Sequence, residues 1–309
     1  MKAVGVMGQD NMTHLFDVEE PSAAHDQVVV QVMAASVNDF DRAAVRGRYA
    51  SAMSQQDPVM LGRDFVGLVT AVGADVDYID VGMYVAGALE PQPVGQPGTF
   101  AEKVVVPAGS LAAVPDGVDI AQAAGVGLAG LAAVDAISAL GAAHLGKLLI
   151  HGPVSGAGGF ALQLAKAHGA VVAVIVPQTQ VGLAWGLGAD FVISEEGTPS
   201  QSIEEIRRFF GGGVDTAIHV AGDLSVAASV LRPGGKYTSV NDGVMDAAPS
   251  GDGYVPTIVA PRGHKLADLL FKVAGQRLIS AIGRTLSFDQ IGNAVNLDDN
   301  DNGRTVLVR

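Results

Sequence analysis

From Lys147 the chain reads KLLIHGPVSGAGGFALQLAKAHGA, and this stretch constrains the fold more than any other. Lys147–His151 is a short apolar strand pattern that runs into Gly152, Ser155, Gly156, Ala157, Gly158 and Gly159. A helix follows at once, over Phe160–His168, with Leu162, Leu164 and Ala165 on its apolar positions. A helix N-terminus carries unpaired N–H groups and the positive end of a dipole, so it favours an anion. Glycine lets the backbone approach a pyrophosphate with no Cβ in the way. A tight strand-to-helix turn needs glycine in any case, so the surrounding pattern has to decide. That pattern is strands Val171–Val176, Asp190–Ile193, Asp215–Val220 and Lys236–Val240. They alternate with helices Gln180–Leu187, Ser202–Phe210 and Leu224–Leu231. Apolar strands alternating with helices predict a parallel sheet covered on both faces. The glycine turn lies at its first crossover, where a dinucleotide binds. Ser202, with Glu205 three residues on, reads as the N-cap of its helix.

The rest of the chain has another texture. Gln27–Met33, Gly67–Val72, Met83–Ala86 and Phe100–Pro107 are short strand patterns bounded by turn formers. Glu90–Thr99 is a loop by composition, Pro115–Asp116–Gly117 a turn at a domain boundary, and Asp298–Asn302 an acidic turn. The tail reads as strand Thr257–Ala260, helix Lys265–Ala274, strand Leu278–Ile282 and strand Thr305–Arg309. At 309 residues, two domains of about 100–200 residues are favoured over one.

Composition then removes whole classes of function. A hydrophobic fraction of 49% against 17% charged residues excludes a mainly disordered chain. The absence of Cys excludes disulfides, thiolate zinc sites, iron–sulfur ligation and a Cys nucleophile, and it fits a cytoplasmic location. A net charge of −13 argues against nucleic acid as a partner. No long apolar run precedes Asp10, so no signal peptide is expected. The apolar stretch Ala121–Leu145 is broken by Asp135 and reads as a buried helix, not a membrane span. The seven His stand in no metal-like or triad-like spacing, and Trp185 reads as packing.

The end of the second strand usually identifies the nucleotide, because an acid there takes the adenosine ribose hydroxyls and favours NAD. Ile175–Val176–Pro177–Gln178–Thr179–Gln180 holds neither an acid nor a cation. Thr179 and Gln180 offer neutral hydrogen bonds, and the choice between NADP and NAD stays open at this level.

Several stretches together resemble the zinc-independent quinone oxidoreductases of the medium-chain dehydrogenase/reductase superfamily. Ala34–Tyr49 (AASVNDFDRAAVRGRY) is similar to the family's A-x-x-V-N-x-x-D-x-x-x-R-x-G-x-Y segment, and Leu61–Gly73 (LGRDFVGLVTAVG) to its P-G-x-D-x-x-G-x-V-x-x-V-G segment. Gly98–Val105 resembles G-x-x-A-E. The glycine turn with Gln163–Lys166 (QLAK), Gly188–Asp190, Gly213–Asp215 and Gly303–Leu307 (GRTVL) resemble further landmarks in the right order. The resemblance implies a GroES-like β-rich catalytic domain, residues 1–119 and 263–309, around an inserted Rossmann domain, 120–262, with the active site where they meet. It implies reduction of a quinone or an α,β-unsaturated carbonyl by NADPH, with NADH as the alternative. It places Asn38, Asp41 and Tyr49 at the catalytic site. Gly152, Ser155, Gly156, Ala157, Gly158, Thr179, Gln180, Ala221, Val240 and Asn241 fall against the cofactor. By the residues alone, Asn38 and Asp41 read equally as loop-holding Asx residues. Arg63 lies under the cofactor or pairs with Asp64. Zinc-dependent members of the superfamily carry Cys at the position of Asn38 and Gly-His-Glu at Gly62–Arg63–Asp64, so no metal is expected.

Departures from the family pattern concern the cofactor. Leu131–Ala132–Ala133 lacks a Thr found in relatives, Gln180 stands where relatives often have Lys, and Asp242 would repel a phosphate. Two other readings on this scaffold stay open: an enoyl-thioester reductase, and a non-catalytic nucleotide-binding or redox-sensing protein. A homodimer is expected, with Thr257–Ala260 as the pairing edge.

Overall fold

A computed structural model describes residues 1–7, 12–49, 58–90, 97–241, 252–297 and 303–309. Asp242, most of the Glu90–Thr99 loop and all of the Asp298–Asn302 turn lie outside the described residues. The chain forms two compact units. One joins Met1–Leu128 to Ala260–Asp298 and Arg304–Arg309. The other is Ala129–Val259 with Asp299–Gly303.

The first unit opens with β1 (Lys2–Val6), β2 (Thr13–Asp17), β3 (Gln27–Ser36), α1 (Asp39–Val45), β4 (Val59–Met60), β5 (Asp64–Val72), β6 (Tyr84–Ala88), β7 (Lys103–Pro107) and β8 (Ala112–Ala113). Helix α2 (Ile120–Leu140) carries the chain into the second unit. There β9 (Lys147–His151), α3 (Ala157–Ala167), β10 (Val171–Val176), α4 (Val181–Gly186) and β11 (Phe191–Ser194) lead to α5 (Pro199–Phe210), β12 (Val214–His219), α6 (Leu224–Ser229) and β13 (Leu231–Ser239). The chain returns through α7 (Gly263–Ala274), β14 (Ile282–Ser287), α8 (Ile291–Ala294) and β15 (Arg304–Val308).

In the first unit β3 is the organising strand. It pairs antiparallel with β5, β7 and β15, and its β-branched run QVVVQV suits a pleated surface packed on its neighbours. Val28, Val30 and Val32 enter one core with Phe40, Phe65 and Leu307. Strand β14 begins only at Ile282, where it meets β15 in parallel. The strand expected over Leu278–Ile282 does not form. Leu278 and Ser280 are buried and Ile279 is exposed, so the alternation is real, but the strand ladder starts only at Ile282.

The second unit is a parallel sheet in the order β11-β10-β9-β12-β13. The chain steps outward from β9 to β11 and then returns to the other side of β9, so the order reverses between β9 and β12. Helices cover apolar strands, with Leu149, Ile175, Ile206 and Ala217 in one core. Helix α5 is capped by Thr198, which shares a capping box with Gln201 and precedes Pro199. The expected cap at Ser202 is a buried residue inside the helix. Pro199 explains the shift, since its fixed φ is ready for a first helical position. Thr257–Ala260 forms no strand. A single bridge joins Tyr237 to Tyr254, Thr257 hydrogen-bonds Thr238 through their hydroxyls at 2.6 Å, and Ile258 is exposed.

Helix α2 is long and apolar enough by length and composition to cross a membrane, yet most of it is buried. It is kinked at Gly127 (φ −16°, ψ −114°). The cause is a side chain inserted into the helix ladder: Leu128 N–H donates to Asp64 Oδ2 at 3.1 Å. A Cβ on Gly127 would lie 2.3 Å from Asp64 Cβ. In an ordinary helix Gly→Ala gains about 1 kcal/mol. Here Gly127→Ala is expected to lose about 2 kcal/mol through overpacking, read by urea unfolding. A stabilised variant would contradict the inserted carboxylate.

Candidate functional site

The second unit builds its site at the C-terminal ends of β9 and β12. Gly152 N–H donates to Ile175 O, and Val220 and Ala221 N–H both donate to His151 O. The ends of the two strands therefore touch through backbone. Gly152 takes φ +119°, and a Cβ on it would lie 2.5 Å from Ala221 N. Cβ atoms on Gly158 and Gly159 would meet Pro153 O at 2.3 Å and Val154 O at 2.1 Å. Only glycine fits these three positions. The turn delivers the chain to α3 with Gly156 as N-cap and no side-chain cap, so the first N–H groups of α3 meet an approaching anion instead of a side chain.

Gln180 sits beneath this turn. It is buried, and its Oε1 accepts from Val154 N–H at 2.7 Å and Ser155 N–H at 3.2 Å. Thr179, next to it, is exposed. Ser155 is buried, whereas Gly156, Ala157, Ala221, Val240 and Asn241 are half-buried. Asn241 is tied back by its Nδ2 to Val220 O at 3.1 Å and by its N–H to Ser239 Oγ at 3.1 Å. The expected cofactor residues thus gather on one edge of the sheet, with Gln180 directed at the turn itself.

Two histidines that spacing did not single out stand there too. His151 and His219 meet edge to face, with ring centroids 5.9 Å apart. His219 Nε2 faces Gly222 O at 3.1 Å and its Nδ1 faces Ser239 Oγ at 2.9 Å. A carbonyl only accepts, so Nε2 carries the proton and Nδ1 accepts from the serine. Burial pushes the pKa of His219 below its usual value, which keeps the ring neutral. His151 Nε2 lies 3.3 Å from Glu195 Oε1, and its buried Nδ1 has no hydrogen-bond partner among the described residues. The usable sequence signal was position: each His ends a strand beside the point where the strand order reverses.

The first unit gathers Asn38 and Asp41 in a buried network. Asp64, with no exposed surface, accepts from Ser36 N–H at 2.9 Å, Ser36 Oγ at 2.7 Å, Asn38 Nδ2 at 3.2 Å and Leu128 N–H. Arg304 Nη2 stands 3.9 Å from Asp64 and donates to Ser36 Oγ at 2.7 Å and Asn38 Oδ1 at 2.6 Å. Both ends of the Asn38 amide are therefore engaged. Asp41 accepts from Asn38 N–H at 2.8 Å and Gly62 N–H at 2.7 Å. Arg63 lies over Phe40, 3.8 Å from its centroid, and donates to Met60 O and Gly62 O. Tyr49 stacks on the same Phe40 at 5.1 Å and stays half-buried. Ser36 and Arg304 were not legible as site residues, because Arg304 meets Ser36 across 268 residues of chain and Asn38 across 266.

Burial pushes the Asp41 carboxyl up to about 6, against the pull of its two N–H donors and of Arg63. A raised folded pKa means that the folded state gains stability as pH falls through it. Lowering pH from 7 to 4 is expected to stabilise the protein relative to Asp41→Asn by up to about 3 kcal/mol. A stability difference constant across that range would contradict the buried carboxyl.

Comparison with known proteins adds the family context. Residues 24–116 match the alcohol dehydrogenase GroES-like domain, and residues 156–252 match the zinc-binding dehydrogenase family. The trans-enoyl reductase pgmF of Aspergillus terreus is 32% identical over 224 residues, covering 70% of this chain and 62% of that protein. The mitochondrial NAD(P)H oxidoreductase RTN4IP1 of Homo sapiens is 32% identical over 215 residues, covering 62% of this chain and 54% of that protein. The chain therefore spans less than two thirds of the length of these relatives. The quinone oxidoreductase from Coxiella burnetii shares the fold, with a TM-score of 0.83 at 24% identity, covering 100% of this chain and 99% of that one.

Proposed function

The chain belongs to the medium-chain dehydrogenase/reductase superfamily, and from that premise we propose that it is a nicotinamide-dependent reductase of quinones or α,β-unsaturated carbonyls. The observation that carries this reading is the glycine turn at the β9–β12 reversal, where no side chain fits and the N-terminus of α3 is uncapped. That is the constellation a pyrophosphate requires. The dinucleotide, when bound, supplies the hydride. The chain's own part is to hold it: the N–H groups of Ala157 and Gly158, at the start of α3, would take its phosphates, and Gln180 keeps the turn from relaxing.

Zinc enters no step. The chain has no Cys, and the Arg304 guanidinium already faces Asn38 and Asp64, a surrounding that opposes a divalent cation. Hydride delivery to an electron-poor alkene needs orientation and no nucleophile. Of Asn38, Asp41 and Tyr49, Tyr49 alone keeps substantial exposed surface. It is the side chain assigned to a flat acceptor, while Asn38 and Asp41 hold the loop. A second reading, an enoyl-thioester reductase, draws support from the similarity to a trans-enoyl reductase.

The test is fluorescence titration with NADH and NADPH, followed by turnover with a benzoquinone, an enone and an enoyl-CoA. Binding with turnover of the quinone or enone supports the first reading, and turnover of the thioester alone supports the second. Gln180→Leu leaves two N–H groups without their acceptor and is expected to weaken dinucleotide binding about tenfold. Binding without turnover, or binding indifferent to Gln180, would contradict the proposal.

A further inference from the structure

Strand β10 ends without the acid that usually meets the adenosine ribose, but the neighbouring strand ends in one whose backbone pairs with the end of β10. Glu195 follows directly on β11, and its N–H donates to Val176 O, the last residue of β10, at 2.9 Å. Its side chain turns toward β9, where Oε1 lies 3.3 Å from His151 Nε2. A Cβ on Gly222, in the loop after β12, would meet that same Oε1 at 3.0 Å. The carboxylate thus stands on the edge of the sheet that bears the glycine turn, against the ends of β9 and β12, and a third of the side chain is exposed.

Apart from the His151 contact, the charge on the segments around it is one-sided. The segments that leave the five strand ends, 152–157, 177–181, 195–199, 220–224 and 240–241, hold Glu195, Glu196 and Asp223 and no Lys or Arg. Asp223 stays ionised, its pKa lowered chiefly by hydrogen bonds from Ser225. His219 is buried and neutral. A carboxylate accepts hydrogen bonds from a vicinal diol, whereas a phosphate monoester brings only negative charge and acceptors to it. We propose that Glu195 is the ribose-recognition residue of this chain, that its ligand is an unphosphorylated adenosine ribose, and that the protein binds NADH in preference to NADPH. This inference rests on the dinucleotide reading of the glycine turn.

Titration calorimetry of the full chain with each dinucleotide separates the two levels. NADH binding at least about tenfold more tightly than NADPH is expected. Glu195→Gln is expected to weaken NADH about tenfold and to leave NADPH unchanged or improved. AMP against 2′,5′-ADP on the unmodified protein makes the same comparison without a variant, and AMP is expected to win. Equal or tighter NADPH, or an NADH preference that survives Glu195→Gln, would overturn the Glu195 assignment and leave the dinucleotide site standing. Binding of neither dinucleotide would overturn the site itself, and this inference with it.

Discussion

The approach of β9 to β12 at their C-terminal ends is the constraint on which the candidate site depends. His151 O receives two N–H groups from the far strand's exit, and Gly152 fits against Ala221 only because it has no Cβ. Everything around the turn follows from that closeness. The chain must leave β9 through a left-handed residue, enter α3 without a side-chain cap, and find an acceptor for the N–H groups it turns inward. Gln180 is that acceptor. Its place at the head of α4 links the turn to the end of β10, so the anion-facing geometry is set before any ligand arrives. Such prepaid geometry lowers the ordering cost of binding.

The first unit is organised on different physics. A fully buried carboxylate is costly unless its oxygens are satisfied, and Asp64 is satisfied from four parts of the chain: the end of β3, the cap of α1, the kink of α2 and the start of β15. Those same contacts consume Asn38. The residue that resembles a catalytic amide is thus held at both ends, and its neighbour Asp41 is held between two backbone N–H groups. The network ties these four parts of the chain together through buried hydrogen bonds.

Much of this was legible in the sequence, and the boundary between what was and was not is physical. Strands buried on both faces read as continuous apolar runs, so β9, β10 and β12 stand out, and three glycines around one turn announce a steric demand. The polar network does not announce itself. Asp64 lies 64 residues from Leu128 and Arg304 lies 266 from Asn38, and no local pattern joins them. Thr257–Ala260 misled because β-branched residues mark a strand only where a neighbour offers a ladder. Glu195 is not legible as a site residue because only the sheet brings the end of β11 alongside the end of β10.

A diffraction structure of the protein with NADH bound tests the account most directly. The pyrophosphate is expected within hydrogen-bonding distance of the N–H groups at the start of α3, with the adenosine ribose hydroxyls on Glu195. A dinucleotide bound away from the Gly152–Gly159 turn, or an adenosine turned away from Glu195 while the pyrophosphate keeps its place, would contradict it.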